Sequence, residues 1–363
     1  MKAYNPPARL DLCNTLINSV AIPYTTTLNP KGKMRDWSEY IFDPPHNFEE
    51  KALHVFDHQF YHNCHFHNFC RAMECDTGNV NTINGIPLLP MEAFRDAAIL
   101  GKYVKEPELI FKSSGTTSMK SSVHYVAAVE MYRKAILEGL MRFYNLDDLV
   151  FWGYVPGYSD NPNSSLIWMI NHLIDQDDSD MSRFLPLGEE LDVDEISDIN
   201  DSGKQLLIFG AAFGFLDLLK EKKYILPENT IIMETGGMKT HRRQISREAL
   251  HKELANGYGL KTSQIHSEYG MTELLSQSYA TGGSWYKTPP WLHVTIRDPE
   301  NPMTIMAEGE EGLIGIIDLA NVHSCSFLLT QDVGVQNGEG DFKVKGRWRY
   351  SNLRGCNFLV EEE

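Results

Sequence analysis

Positive charge is scarce in this chain. Lys and Arg number 33 against 49 Asp and Glu, a formal net charge of −16 over 363 residues. A general polyanion binder needs clustered Lys and Arg, so no nucleic-acid partner is expected. A nucleotide pocket needs only a few local donors and survives this argument. Cysteine is also sparse. Cys13, Cys64, Cys70, Cys75, Cys325 and Cys356 are too few for a disulfide scaffold in a chain this long, and no C-x-x-C pair occurs. Met1 to Ile17 lack the apolar centre of a signal peptide. No stretch approaches the roughly 18 uninterrupted apolar residues of a membrane span. A cytoplasmic protein without a membrane segment is expected. Internal repeats, low-complexity tracts and the G-x-x-x-x-G-K-[ST] phosphate loop are also missing.

What is present is an apolar fraction of 42%, ample for a large core, arranged in alternating short runs. Residues 1–46 carry prolines and aromatics and read as an irregular segment. Helical spacing marks Asn47 to Ala72 and Met91 to Tyr103. Then follow a strand at Leu109–Phe111, a helix from Ser122 to Tyr144, and a buried strand at Leu149–Val155. A helix at Ser165–Ile174 precedes strands at Leu206–Phe209, Thr230–Met233 and Gln264–Ser267, separated by helices to about Lys220 and over Ser246–Gly257. Strands alternating with helices predict parallel βαβ units, and unbroken apolar runs predict a sheet covered on both faces. Residues 176–202 are acidic and read as a solvated connector. Short strands at His293–Ile296, Thr304–Met306, Leu313–Leu319, Phe327–Leu329 and Phe342–Lys345 predict a β-rich unit. The expected organisation is an irregular segment over 1–46, an α/β body over 47–285, a β-rich subdomain over 286–345 and a short tail over 346–363.

Four motifs fall at ends of these elements. Ser113, Ser114, Gly115, Thr116, Thr117 and Lys120 form a hydroxyl-rich loop after a strand and, on this reading, before a helix, a place where amides, hydroxyls and a lysine hold phosphate. Gly236 and Gly237 follow the strand at 230–233, where backbone can approach a flat ligand. Tyr269, Gly270, Thr272 and Glu273 place an aromatic face, a hydroxyl and a carboxylate within five residues. Asp332 and Arg347 supply an acid and a base suited to a diol and a phosphate. Each also has a plainer reading: a polar connector, a core tyrosine, a turn acid, a surface ion pair.

In this order the motifs resemble the adenylate-forming superfamily of acyl-CoA synthetases, adenylation domains and luciferases. The wording Ser-Glu-Tyr-Gly-Met-Thr-Glu-Leu at 267–274 is most similar to its LuxE-type acyl-protein synthetases, which activate fatty acid for the bacterial luminescence reductase complex. The resemblance covers roughly residues 50–359. It implies the large N-terminal domain of that fold, with βαβ layers and a smaller β-rich subdomain. It also implies ATP and Mg²⁺. Ser113 to Thr117 and Lys120 would hold the outer phosphates, and Gly236 and Gly237 would border the adenine and acyl pockets. Tyr269 and Gly270 would carry the adenine platform, with Thr272 at the α-phosphate and Glu273 on Mg²⁺. Asp332 would accept the ribose hydroxyls, with Arg347 at ribose or phosphate. The acyl pocket is expected between the 236–237 loop and the helix after 122.

The chain departs from that family in lacking most of the mobile C-terminal domain and its lysine. Either Lys120, Arg349 or Arg354 serves instead, or the activity is weakened. Cys356, flanked by these arginines in sequence, matches the acylated cysteine of LuxE-type proteins. The resemblance therefore implies fatty-acid activation followed by acyl transfer to Cys356, with a partner acyl reductase and an acyl carrier or acyltransferase as a further partner. Two alternatives stand beside it: a ligase that passes the adenylate to a carrier or coenzyme A, and a non-catalytic nucleotide-binding subunit. Oligomeric state is left open. Separately, His54, His58, His62 and His65 fall on one face of the helix expected at 47–72, a pattern read either as a metal site or as a packing face.

Overall fold

The computed structural model describes residues 36–44, 47–113, 121–157, 161–186, 188–236 and 245–348. Asp36 accepts from the amides of Ser38 and Glu39 and starts helix α1 (Trp37–Phe42). Asn47 caps α2 (Phe48–His62). Asn63 ends it and caps α3 (Cys64–Ala72) through the amides of His65 and Phe66. Next come β1 (Leu89–Pro90), α4 (Ala93–Asp96), β2 (Leu109–Lys112), β3 (Val123–Val126) and α5 (Val129–Leu140). The central run is β4 (Leu149–Tyr154), α6 (Ser165–Ile174), β5 (Arg183–Phe184), α7 (Val193–Asp201), β6 (Gln205–Ala211), α8 (Ala212–Glu221), β7 (Ile231–Thr235), α9 (Arg247–Tyr258) and β8 (Ile265–Tyr269). The chain closes with β9 (Ser278–Ala280), β10 (Leu292–Arg297), β11 (Gly312–Asp318), β12 (Phe327–Gln336) and β13 (Phe342–Arg347).

Among the described residues the larger sheet has six strands in the order β5-β4-β6-β7-β8-β9. All its pairs are parallel except β8–β9. Every residue of β4 and β7 is buried, which explains runs that do not alternate. One face packs Phe151, Leu207, Phe209 and Met233 with Met131, Tyr132 and Ala135 of α5 and Met169 and Ile170 of α6. The other packs Trp152, Ile208 and Ile232 against Ile196, Phe215, Leu254 and Tyr258 of α7, α8 and α9. The second sheet runs β1-β12-β11-β10, with β13 added antiparallel to β12. A Tyr286–Phe342 backbone bridge links its last strand to the segment after β9.

Helix and strand positions from 149 to 269 follow the sequence pattern within one or two residues at most ends. Elsewhere the structure corrects it. The stretch 122–144 is not one helix: β3 pairs antiparallel with β2 before α5 begins. Ser113 and Ser122, at the two ends of the hydroxyl-rich stretch, therefore adjoin paired strands, and no helix begins at Ser122. The helix expected over 47–72 breaks at Asn63, where the side-chain amide leaves the helix to donate to Ser324 O at 2.8 Å. The helix expected over 91–103 is reduced to α4, because later amides find distant partners: Gly101 N donates to His323 O and Lys102 N to His62 O. The acidic stretch 176–202 holds β5 and α7, the latter burying Ile196 and Ile199. Thr304–Met306 makes only a single bridge, Ile305 to Arg297. Residues 37–42, placed in the irregular segment, are helical.

Candidate active site

Tyr269 ends β8 and donates its hydroxyl to Asp332 Oδ2 at 3.0 Å. Asp332 sits opposite Arg347 in the β12–β13 ladder, and Arg347 Nε lies 3.5 Å from Asp332 Oδ1. Three residues quoted from two motifs, 78 positions apart at the extremes, thus meet at one point. Arg347 is half-exposed, so the ion pair itself adds little stability. Its value is in placing a guanidinium beside the carboxylate. The Tyr269 ring is backed by Tyr286 and Phe342 at centroid distances of 5.7 and 5.4 Å. Burial, reinforced by the Asp332 charge, pushes its phenol well above the ordinary value, so it stays a donor.

The Thr272–Glu273 turn is held by residues that no motif singled out. His124 of β3 donates Nδ1–H to Thr272 O at 2.8 Å. Asn321 donates to Glu273 O at 2.8 Å, and its Oδ1 lies 3.0 Å from His124 Nε2. Asp318 accepts from the amides of Leu275 and Ser276 and from the Ser276 hydroxyl, at 2.8, 3.0 and 2.6 Å. Glu273 itself is 2% exposed. The base of the hydroxyl-rich loop lies on the same strand pair: Ser113 N donates to Ser122 O at 3.1 Å, and Ser122 N donates to Ser113 Oγ at 2.9 Å. One bond, His124 to Thr272, therefore ties that hairpin to the Tyr-Gly-x-Thr-Glu turn. Ser114, Gly115, Thr116, Thr117, Lys120, Gly237 and Cys356 lie outside the described residues. Gly236 is described and takes φ +72°, a conformation that favours glycine.

Beneath this surface runs a buried polar network. Glu234, at the end of an otherwise apolar strand, pairs with Arg247 of α9 and accepts from Ser267 Oγ at 2.5 Å. His251 Nε2 lies 3.0 Å from Ser267 Oγ. Arg247 stands over the Tyr286 ring at 5.1 Å, which connects the network to the Tyr269 cluster. Burial pushes the Glu234 carboxyl up, but Arg247 and the bonds from His251 and Ser267 outweigh it and hold it below the usual range. Glu268 goes the other way. It accepts from Thr235 Oγ1, yet burial, helped by the Glu234 charge, pushes it up to about 7.

A pH effect follows. Glu268 ionises near 4.5 in the unfolded chain and near 7 in the folded one. As pH rises through that window the unfolded chain releases its proton first, so wild-type stability falls. Glu268→Gln is expected to flatten this fall and to stabilise the protein at pH 8 by on the order of 3 kcal/mol. Thermal melting of both proteins across pH 5–8 measures it, and parallel curves would refute it.

The histidines of α2 and α3 pack rather than gather. His54 bonds Tyr40, His58 and His62 stack at 4.5 Å, and His58 Nε2 lies 3.0 Å from Tyr103 OH. Breaking the helix at Asn63 takes His65 off the shared face. Among the described residues no group of three or more His, Cys, Asp or Glu is placed to hold a metal ion. Cys70, Cys75 and Cys325 are free. No helix among the described residues is long and apolar enough to cross a membrane.

No protein-family model matches the chain. It is 24% identical over 332 residues to the long-chain-fatty-acid–luciferin-component ligase of Vibrio harveyi, covering 85% of each. The protein of the same name from Aliivibrio fischeri is 23% identical, over 84% of this chain and 82% of that one. The chain is similar to these ligases over most of its length. Among solved structures, an open conformation of 2-hydroxyisobutyryl-CoA ligase in complex with 2-HIB-AMP and CoA matches with a TM-score of 0.60 at 12% identity. That match spans 82% of this chain and 68% of the other. A postadenylation state of that ligase gives 0.58, spanning 66% of its chain. The fold is that of adenylate-forming enzymes, over the portion that forms their N-terminal domain.

Proposed function

We propose that this chain is an ATP-dependent acid ligase that activates a medium- to long-chain fatty acid and transfers the acyl group to its own Cys356. The observation that carries the reading is the meeting of Tyr269, Asp332 and Arg347 at one point, in a chain related to fatty-acid ligases over most of its length. In this reading Asp332 accepts ribose hydroxyls, Tyr269 and Gly270 bear the adenine, and Arg347 faces ribose or phosphate. Ser113 to Thr117 and Lys120 hold the outer phosphates, and Gly236 and Gly237 border the pockets.

A carboxylate attacking a phosphate must overcome like charge. Thr272 and Lys120 supply donors against it. Glu273 is the residue that would hold Mg²⁺. One carboxylate plus substrate phosphates is an ordinary donor set for this ion, which supplies further charge neutralisation when bound. The carboxylate oxygen bonds to the α-phosphorus and pyrophosphate leaves. The Cys356 thiolate then attacks the acyl carbon and AMP leaves, giving a thioester. A partner acyl reductase would consume it, with an acyl carrier or acyltransferase supplying the acid.

The test is ATP–pyrophosphate exchange against carboxylic acids from acetate to stearate. Exchange rising with chain length supports the reading. ATP binding with no acid-dependent exchange favours a non-catalytic nucleotide-binding subunit. Incubation with labelled acid and ATP should label wild-type protein, and Cys356→Ser should lose that label while keeping exchange. Full labelling of the variant, or transfer only on adding carrier protein or coenzyme A, rejects Cys356 as acceptor.

A further inference from the structure

The face of the larger sheet turned toward α5 ends in polar groups. Glu268 lies opposite Thr235 on β7 and opposite Tyr279 on β9, so the three side chains share that face. Gln277, just before β9 and two residues before Tyr279, reaches toward Gly270. A Cβ at Gly270 would meet both the Glu268 carboxylate and Gln277 Cγ. Glycine here leaves the carboxylate room directly beneath the Tyr-Gly-x-Thr-Glu turn. Thr235, Glu268, Gln277 and Tyr279 are 8, 5, 5 and 1% exposed.

Two of these groups lack what burial normally demands. Tyr279 OH and Gln277 Oε1 have no hydrogen-bond partner. Buried polar atoms are almost always paired, and neighbouring exceptions call for a ligand or water. They leave a buried donor and a buried acceptor two residues apart along the chain. A ligand hydroxyl can accept from the one and donate to the other.

We propose that Glu268, Gln277 and Tyr279 form a polar lining that selects acids bearing a hydroxyl near the carboxyl end over plain alkanoic acids. The proposal rests on the function proposed above and on the acyl pocket expected between the 236–237 loop and the helix after 122, which is α5. Tyr269, on the other face of β8, turns to Asp332, which leaves the α5 side for the acid. An ammonium fits less well, because the Arg247 cation already acts on Glu268. The Tyr132 phenol on α5 donates instead to Ser165 O at 3.0 Å and is not free to complete the set.

The experiment uses the full chain, ATP–pyrophosphate exchange, and lauric acid beside its α-hydroxy, β-hydroxy and α-amino derivatives. One hydroxylated acid is expected to exceed lauric acid in kcat/KM by at least about tenfold, since a site built to bond a hydroxyl rejects the analogue lacking it. Tyr279→Phe and Gln277→Leu are each expected to collapse that ratio toward one. Tyr279→Phe removes only an unpaired hydroxyl, so its melting temperature should not fall. Equal rates for plain and hydroxylated acids in wild type, or a ratio unmoved in both variants, overturns the inference and leaves the ligase reading standing. Such a result would mean that water satisfies these atoms. Preference for the amino derivative also overturns it. Exchange with no acid at all sinks the ligase reading, and the inference with it.

Discussion

Asp332→Ala is expected to lower acid-dependent pyrophosphate exchange about 100-fold or more, mostly as a raised KM for ATP. The side chain receives Tyr269 OH at 3.0 Å and stands beside Arg347. A carboxylate gripping a diol makes charge-assisted bonds worth about 1.5–3 kcal/mol each, and two of them exceed the factor stated. Because such bonds hold ATP equally before and during reaction, the loss falls on binding. Asp332→Asn keeps the shape and one acceptor oxygen and should lose less. Tyr269→Phe separates the two roles of this cluster. It removes the bond to Asp332 but keeps the ring against Tyr286 and Phe342, so an effect of less than about fivefold is expected. Steady-state exchange at varied ATP measures all three. A folded Asp332→Ala protein with wild-type KM would reduce Asp332 to a tie between β12 and β8.

Glu234→Ala is expected to cost about 3–5 kcal/mol of stability. Glu234 is 1% exposed, and its loss leaves the mostly buried Arg247 guanidinium without its carboxylate and Ser267 without its acceptor. The penalty comes from the stranded charge more than from the lost attraction. The double variant Glu234→Leu with Arg247→Met should therefore recover most of the loss, since replacing a whole buried pair by apolar groups is often neutral. Denaturant unfolding of the single and double variants decides it. A single-variant cost below about 1 kcal/mol, or a double variant no better than the single, would show the pair to be solvated. The sign with pH is opposite to that of Glu268. Glu234 is held low, so its contribution is present above the unfolded value of 4.5 and is lost as pH falls through the lower folded one.

The chain's own order of residues determined a good deal. Unbroken apolar runs at 149–155, 206–209 and 230–233 can be buried only on both faces, so a covered parallel sheet was legible from periodicity alone. Tyr269, Asp332 and Arg347 were legible as candidates through the motifs that carry the family resemblance, although Asp332 lies within β12 and not at a strand end. Glu234, which follows the apolar run Ile231–Met233, was passed over, and its Arg247 partner appears only in the structure. What tertiary structure alone decided is who meets whom. Asp332 reaches Arg347 by strand register and Tyr269 by the packing of two sheets, and neither distance is encoded in spacing. His124, Asn321 and Asp318 grip the Thr272–Ser276 turn from far along the chain, and nothing local marks them. The hairpin at 109–126 was misread as strand and helix because Val123–Val126 is too short for period to separate the two. Its pairing with β2 satisfies those backbone groups, and that long-range bond settles the choice.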